Sequence, residues 1–164
     1  MAKWKLAKGK TWRGKLTEEH ASHGKVVELS EKMQARFRAS TMLVPRPLDL
    51  DALVRKVRKG KLVTQTQLRQ HLAEEAGADC GCPMTTGIFL RIVAEAAEED
   101  LANGKQRVTP YWRVVKDDGA LNDGFPKGVR GQARHLREEG HVVSPAKGKK
   151  APRVRGYEDA LIEL

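Results

Sequence analysis

The sequence predicts a mostly α-helical protein with small β elements, in which a winged helix-turn-helix-like domain carries basic N- and C-terminal extensions. Three observations predict this class. Apolar residues recur at helical spacing through the middle of the chain. Thr64 and Gln67 have the spacing of a capping box at the start of a helix. A short, β-prone stretch at 109–115 is followed by the turn sequence Lys-Asp-Asp-Gly.

Charge is distributed unevenly along the chain. The net charge is +10, of which residues 1–48 carry +7, residues 49–100 carry −2 and residues 101–164 carry +5. A nearly neutral middle between two basic regions favours a polyanionic partner. We therefore divide the chain into a basic N-terminal extension (1–47), a central domain (48–143) and a basic C-terminal extension (144–164).

Cysteine content and hydropathy restrict the cellular compartment in which the protein is expected. Cys80 and Cys82 are two positions apart and provide no disulfide framework, which indicates a reducing compartment. No apolar run approaches 18 residues, so no membrane span is predicted. We expect a cytoplasmic, nucleoid-associated monomer that needs no cofactor.

The N-terminal extension is rich in lysine and has two tryptophans, Trp4 and Trp12, as its large apolar side chains near the start. It either docks through these tryptophans or stays mobile. A short strand is predicted at 26–29 and one or two helical turns at 32–38. The Pro-Arg-Pro sequence at 45–47 interrupts regular structure and marks a boundary.

Three helices are predicted in the central domain. The first begins near Leu48 and has its apolar residues at 50, 53, 54 and 57. The second begins with the capping box and ends at Gly77. The third begins near Thr85, has an apolar stripe from Ile88 to Ala97 and carries acidic residues up to its end at Asn103.

The remaining elements are shorter. A strand is predicted at 107–115, with a hairpin partner near 120–121 and a glycine-rich, wing-like stretch up to Gly128. A last helix runs to Gly140 and a last strand covers 141–143. Residues 144–156 are basic and contain proline and glycine, so we expect a loop or a mobile segment, followed by a short helix within 157–164.

Three stretches together resemble a known family. Residues 60–68 (GKLVTQTQL) resemble its GKVxTYGQL segment, residues 110–115 (PYWRVV) resemble its PCHRVV active-site motif, and residues 136–140 (LREEG) resemble its LLxxEG end. Residues 48–143 are on this basis similar to the DNA-binding, active-site domain of the alkylguanine-DNA alkyltransferases. Asn103 lies eight residues before Tyr111, where the family has a hinge asparagine.

The resemblance implies DNA binding without repair. The family transfers an alkyl group to a cysteine thiolate activated by histidine, and here Tyr111 and Trp112 occupy those positions. The chain is therefore most similar to the cysteine-less alkyltransferase-like proteins, which bind alkylated DNA and flag it for excision. This implies double-stranded DNA and a repair protein as partners, and no catalytic residue. The family's phosphate-rotating tyrosine corresponds to Gln65, and its intercalating arginine falls near Met84 or Thr85.

Nine residues are candidates for DNA contact. The hydroxyls of the third helix's first turn and four cations are predicted to meet phosphates. Asn103 would position the 107–115 strand, and the two aromatics would form a pocket wall that stacks on an extruded base. The alternative is that the aromatics fill the pocket from inside. The nine candidates are Thr85, Thr86, Arg91, Asn103, Tyr111, Trp112, Arg113, Lys127 and Arg130.

Two further hypotheses use the cysteines. In the first, the protein is a catalytic alkyltransferase with Cys80 or Cys82 as a different acceptor. In the second, His20 and His23 join the two cysteines as the ligands of a tetrahedral zinc site.

Overall fold

The computed structural model describes residues 5–164, so Trp4 lies outside the described residues. Helices make up most of its regular structure, which confirms the predicted mostly α class with small β elements. The helices are α1 (Trp12–Thr17), α2 (Glu31–Phe37), α3 (Pro47–Lys56), α4 (Gln65–Glu75), α5 (Pro83–Ala102), α6 (Gly128–Glu138) and α7 (Tyr157–Ala160). The strands are β1 (Val26–Glu28), β2 (Thr41–Leu43), β3 (Val63–Thr64), β4 (Cys80–Gly81), β5 (Val114–Val115), β6 (Val143–Ser144) and β7 (Arg153–Val154).

Helix α5 is the centre of the fold, and α1, α3 and α4 pack against it. Its 20 residues include small and branched apolar side chains on most of its circumference, which suits a helix buried on several sides. Its buried apolar residues are Leu90, Ile92, Val93, Ala94, Ala96 and Ala97. The helix ends at Asn103, as predicted.

The capping box at the start of α4 is present as predicted. The Thr64 hydroxyl accepts from the Gln67 backbone N–H at 3.1 Å, and the Gln67 side chain accepts from the Thr64 N–H at 2.9 Å. Two otherwise unpaired donors are thereby satisfied, so α4 begins at Gln65. The Gln67 amide also donates to the carbonyl of Ile162, which ties the C-terminal segment to α4.

The stretch at 107–115 differs from the predicted strand. Residues 111–113 form a single 3₁₀ turn, and only β5 is extended enough to pair. The predicted pairing of the strand with 120–121 is wrong, because β5 pairs in parallel with β3 (Val63 opposite Val114). The chain does turn where predicted, and the Lys116 N–H donates to the Ala120 carbonyl at 2.9 Å. Ala120 instead bridges Arg153 in antiparallel fashion. A parallel partner distant in sequence leaves no local signal, since it needs no tight turn.

The C-terminal segment also differs from the prediction of a loop or mobile stretch at 144–156. Strands β6 and β7 pair antiparallel, with Val143 opposite Val154. Both valines are buried in a second apolar cluster with Leu62, Leu121 and Leu136. The predicted terminal helix is confirmed as α7.

The N-terminal segment docks on α5. Carboxylate oxygens of Glu99 accept the backbone N–H groups of Trp12 at 2.8 Å and Arg13 at 3.0 Å, and the Arg13 guanidinium is bonded to Asp100. Leu16 is 1% exposed within the main core, and Trp12 packs against that core. For Trp12 the docking alternative is therefore confirmed.

Strand β2 also joins this segment to the core. It pairs antiparallel with β1 and parallel with β4, and its Leu43 lies in the same apolar cluster as α3, α4 and α5. Residues 5–47 thus share a core with 48–143, and the division into three regions stays a prediction. No helix among residues 5–164 is long and apolar enough to cross a membrane.

Candidate nucleic-acid interface

A groove with a cavity volume of about 530 Å³ lies at the N-terminal end of α5. One wall comes from the starts of α4 and α5, and the other comes from the loop between β5 and α6. The lining side chains include Gln65, Met84, Ile88, Arg91, Lys116 and Asp123. The Thr66 hydroxyl donates to Asp117 at 2.7 Å, which fixes the second wall against α4.

The floor of the groove is open at Gly87. A Cβ built at this position would meet no atom within 4 Å, and the backbone there is ordinary helix. Met84, at the rim, is 71% exposed, which is unusual for a large apolar side chain. The groove therefore has room beside the helix and an apolar side chain at its edge.

The first turn of α5 lies at the groove, which Pro83 and Met84 line. Cys82 is the N-cap and makes no side-chain cap hydrogen bond, and Pro83 has no N–H. The Thr86 side chain points inward: it is 1% exposed and its hydroxyl donates to the Cys82 carbonyl at 2.7 Å. The predicted contact of the Thr86 hydroxyl with a phosphate does not agree with this position. Thr85 is partly exposed, but it is not among the residues that line the groove, and its hydroxyl donates to the Cys82 carbonyl at 3.5 Å.

Two cations line the groove. Arg91 lies 3.7 Å from Glu95, and Lys116 lies 3.6 Å from Asp123. Lys116 is 44% exposed. Both cations thus contribute positive charge to the lining of the groove, each with a carboxylate within 4 Å.

Of the two aromatics, Tyr111 lies inside the core and Trp112 is partly buried against it. Tyr111 is 1% exposed and meets Trp112 and Phe125 edge to face, with ring centroids 5.4 and 5.3 Å away. Its hydroxyl donates to Glu98 at 2.8 Å. Burial, together with the Glu98 carboxylate, raises the pKa of the Tyr111 phenol far above its ordinary value of 10.0. This matches the alternative in which the aromatics fill the pocket, and it leaves Tyr111 no accessible face for a base.

Trp112 and Arg113 are held by α6 and by the carbonyl at the end of α3. The Trp112 ring stacks on His135 at 4.1 Å with an interplanar angle of 13°, and its Nε1 donates to Glu139 at 2.9 Å. The Arg113 guanidinium donates to both oxygens of Glu139 and to the Val57 carbonyl. Arg113 therefore ties the turn to the core, and its contact with a phosphate stays a prediction.

Glu98 is the second carboxylate that organises this region. It accepts from Lys127 at 2.7 Å and from Tyr111 at 2.8 Å, and His135 lies 3.3 Å away. Burial acts to raise the pKa of Glu98, but these hydrogen bonds outweigh it and lower the pKa below the ordinary value of 4.5. Lys127 thus already has a partner. Arg130, on the next turn, is exposed.

Asn103 lies far from the groove. It caps the C-terminal end of α5, and eighteen residues at 1.5 Å rise place it roughly 27 Å from Thr85. Of the predicted site residues, Arg91 lines the groove and Thr85 does not. A second set surrounds Glu98 and Glu139, and Asn103 lies at the opposite end of α5.

The Glu98 network makes a prediction about acid stability. Because the folded-state pKa of Glu98 lies below its unfolded value near 4.5, the unfolded chain binds more protons in this range. The stabilisation from Glu98 is present above pH 4.5 and is lost as the pH falls through the folded-state pKa. We expect the free energy of unfolding of Glu98→Gln to vary less between pH 5 and pH 3 than that of the wild type, as measured by urea denaturation. An unchanged pH dependence would contradict the network.

The cysteines and histidines do not form the hypothesised zinc site. Among the described residues, no group of three or more His, Cys, Asp and Glu side chains is arranged to hold a metal ion. The zinc hypothesis is therefore wrong for this structure, because the two pairs are not brought together. His23 instead lies edge to face with Phe89 at 5.0 Å, and Cys80 Sγ donates to the Thr41 carbonyl.

Several important residues were not identified from the sequence. In the sequence, Glu98 was only part of an acidic helix end, and Glu139 was only part of the LREEG motif. In the structure, Glu98 binds Tyr111 and Lys127, and Glu139 binds Trp112 and Arg113. One signal was present for Glu98: it follows the buried Ala94 by four residues, so the two lie on one face of α5. The second groove wall, from Lys116 to Phe125, had no comparable signal.

No protein-family model matches the sequence, and no curated protein matches it. Among solved structures, the chain is similar to S. pombe Atl1, crystallised in complex with damaged DNA containing O6-carboxymethylguanine. The identity is 14%, the TM-score is 0.50, and the match covers 72% of this chain and 94% of the Atl1 chain. At this identity the likeness concerns the fold, and it confirms at that level the resemblance that the three motifs predict. The chain has the fold of the alkyltransferase-like protein Atl1.

Proposed function

We propose that the chain is a non-enzymatic DNA-binding protein of the alkyltransferase-like type, which recognises alkylated or otherwise damaged double-stranded DNA without repairing it. One observation carries the proposal. The fold is similar to that of a chain crystallised with damaged DNA. Gln65, at the position of the family's phosphate-rotating tyrosine, lines a groove together with Met84, one of the two candidates for the intercalating position.

The groove has the chemistry that a DNA backbone and an unstacked base step require. The first turn of α5 contributes Pro83 and Met84 to the groove and has no side-chain cap, and helix N-termini favour phosphate. Arg91 and Lys116 add positive charge. Met84 presents an apolar side chain of the kind that wedges between base steps. Phosphate contact and a wedge together suit a protein that detects deformable, damaged duplexes.

The geometry supports binding without alkyl transfer. At the family's acceptor position, the buried Tyr111 phenol donates to Glu98 and stays neutral because its pKa is raised. It is therefore a poor nucleophile. Burial also raises the pKa of the Cys80 thiol, which disfavours the thiolate that transfer needs. No observation favours Cys82 as an acceptor, and an unchanged intact mass after incubation with O6-alkylguanine duplex is the expected result.

The position of Gly87 gives a direct test of the groove. We expect Gly87→Glu to weaken binding to an O6-alkylguanine duplex by about tenfold or more, equivalent to about 1.4 kcal/mol, because it introduces a carboxylate where phosphates would lie. The helix can accept the side chain, since a Cβ there meets no neighbour. Binding is measured by fluorescence anisotropy at several salt concentrations.

Two matched variants complete this experiment. Gly87→Ala adds a methyl group without charge and should retain binding. Ala102→Glu adds the same charge at an exposed position near the other end of α5. This variant should also retain most of the affinity for the duplex. Equal affinity of Gly87→Glu and wild type would reject the groove as the interface. A monomeric state, a nucleoid location and a repair-protein partner remain predictions from the sequence.

A further inference from the structure

A basic β-hairpin covers residues 143–154, in the segment expected from the sequence to be a loop. Beyond the β6–β7 pairs, Lys147 and Lys150 form a second antiparallel bridge, with N–O distances of 3.1 and 3.0 Å. Gly148, at the tip, has φ 59°, a left-handed value that a tight turn requires. The tip is therefore an ordered turn.

The hairpin concentrates positive charge. Residues 145–156 contain five cations and no acidic residue. Lys147, Lys149 and Lys150 are exposed at the tip, and within residues 5–164 none of these three forms an ion pair. Arg153, nearer the base, is bonded to Asp118 at 2.9 Å. The three lysines are thus available to an anionic partner, while Arg153 belongs to the hairpin's attachment.

The base of the hairpin is fixed to the protein core. Val143 and Val154 are buried in the second apolar cluster. The outer edge of β7 is paired as well: Leu121 N–H donates to the Pro152 carbonyl at 2.8 Å, and Val154 N–H donates to the Gly119 carbonyl at 2.9 Å. Backbone pairing on both sides of β7 holds the hairpin at one orientation and lowers the entropy that the lysines lose on binding.

Residues 116–123, which pair with β7 of the hairpin, also form part of the second wall of the groove. Lys116 and Asp123 line the groove, and Gly119 to Leu121 between them pair with β7. The ring of Tyr157 covers Gly119, and its hydroxyl donates to the Asp117 carbonyl at 2.9 Å. The groove wall and the hairpin are therefore parts of one hydrogen-bonded unit.

We propose that this hairpin is a second DNA-contacting element, in which Lys147, Lys149 and Lys150 bind backbone phosphates of the duplex whose lesion lies at the groove. The proposal rests on the proposed function. The ligand class follows from the chemistry, because three clustered ammonium groups without a carboxylate match a regularly charged polyanion. These contacts carry no sequence information, so they would add affinity and fix orientation.

The test is the salt dependence of duplex binding by K147A/K149A/K150A. Each lost phosphate contact should reduce the slope of log K against log salt by about 0.9, so we expect a decrease of about 2–3. The matched control is K25A/K32A/R36A, which removes the same charge from exposed positions around β1 and α2 that do not line the groove. The control should change the slope by less than about 0.9, the value for one phosphate contact. The melting temperatures of both variants should stay at the wild-type value.

The outcomes separate this inference from the proposed function. If the wild type binds and Gly87→Glu weakens binding, but the hairpin variant keeps its slope, the inference is overturned and the function stands. Equal slope changes in the hairpin and control variants would also overturn it, since charge alone would then explain them. If the wild type binds no duplex at low salt, both are overturned. A K147R/K149R/K150R variant should retain the wild-type slope.

Discussion

Replacing Tyr111 by alanine is expected to lower the free energy of unfolding by about 3–5 kcal/mol, the usual cost of truncating a large buried aromatic side chain. Tyr111 is 1% exposed and is packed between Trp112 and Phe125. Removing its ring therefore leaves a cavity that the neighbouring side chains fill only in part. For a chain of this size the melting temperature should fall by roughly 10 °C. Urea denaturation and thermal melts measure both quantities.

Tyr111→Phe is the matched control. It keeps the ring and removes the hydroxyl that donates to Glu98, so we expect a loss of about 1 kcal/mol. Glu98 retains Lys127 and His135 as partners. If Tyr111→Ala instead kept wild-type stability and lost its preference for damaged DNA, the side chain would stack on a base and would not be part of the core.

The helices could be predicted because their signals are local. The capping box at Thr64 defines the start of α4, and the apolar stripe with Asn103 at its end defines α5. These patterns depend on residues three or four positions apart, which a sequence shows directly. Short strands such as β3 and β5 are held by partners about 50 residues away, so neither pairing nor direction could be predicted.

The burial of Tyr111 could not be predicted for a related reason. A proline followed by two aromatics and two valines is compatible with a pocket wall and with a core segment. The carboxylate of Glu98 on α5 makes the core position possible, because it accepts a hydrogen bond from the buried Tyr111 hydroxyl. The same limit applied to 144–156, where a composition typical of loops is ordered by pairing with Gly119 to Leu121. Such contacts are tertiary, and composition does not encode them.

The buried Arg113–Glu139 pair is expected to give the other large effect. The two side chains are 13% and 8% exposed, and Glu139 also accepts from Trp112 and from the Gly60 N–H. Replacing Arg113 by methionine should cost about 3–5 kcal/mol, because it leaves a buried carboxylate without its cation. The motif arginine therefore stabilises the junction of the 3₁₀ turn with α6 and with the end of α3.

A double-mutant cycle measures this pair directly. Arg113→Met, Glu139→Gln and the double variant are compared by urea denaturation, and the double variant should lose less stability than the sum of the single changes. Burial acts to raise the pKa of Glu139, but the hydrogen bonds from Arg113, Trp112 and Gly60 lower it below 4.5. Stability from Glu139 is thus present above pH 4.5 and is lost as the pH falls, and Arg113→Met should weaken this acid dependence. Additive losses, with an unchanged acid dependence in Arg113→Met, would mean that the pair is not coupled and that the turn is held by packing alone.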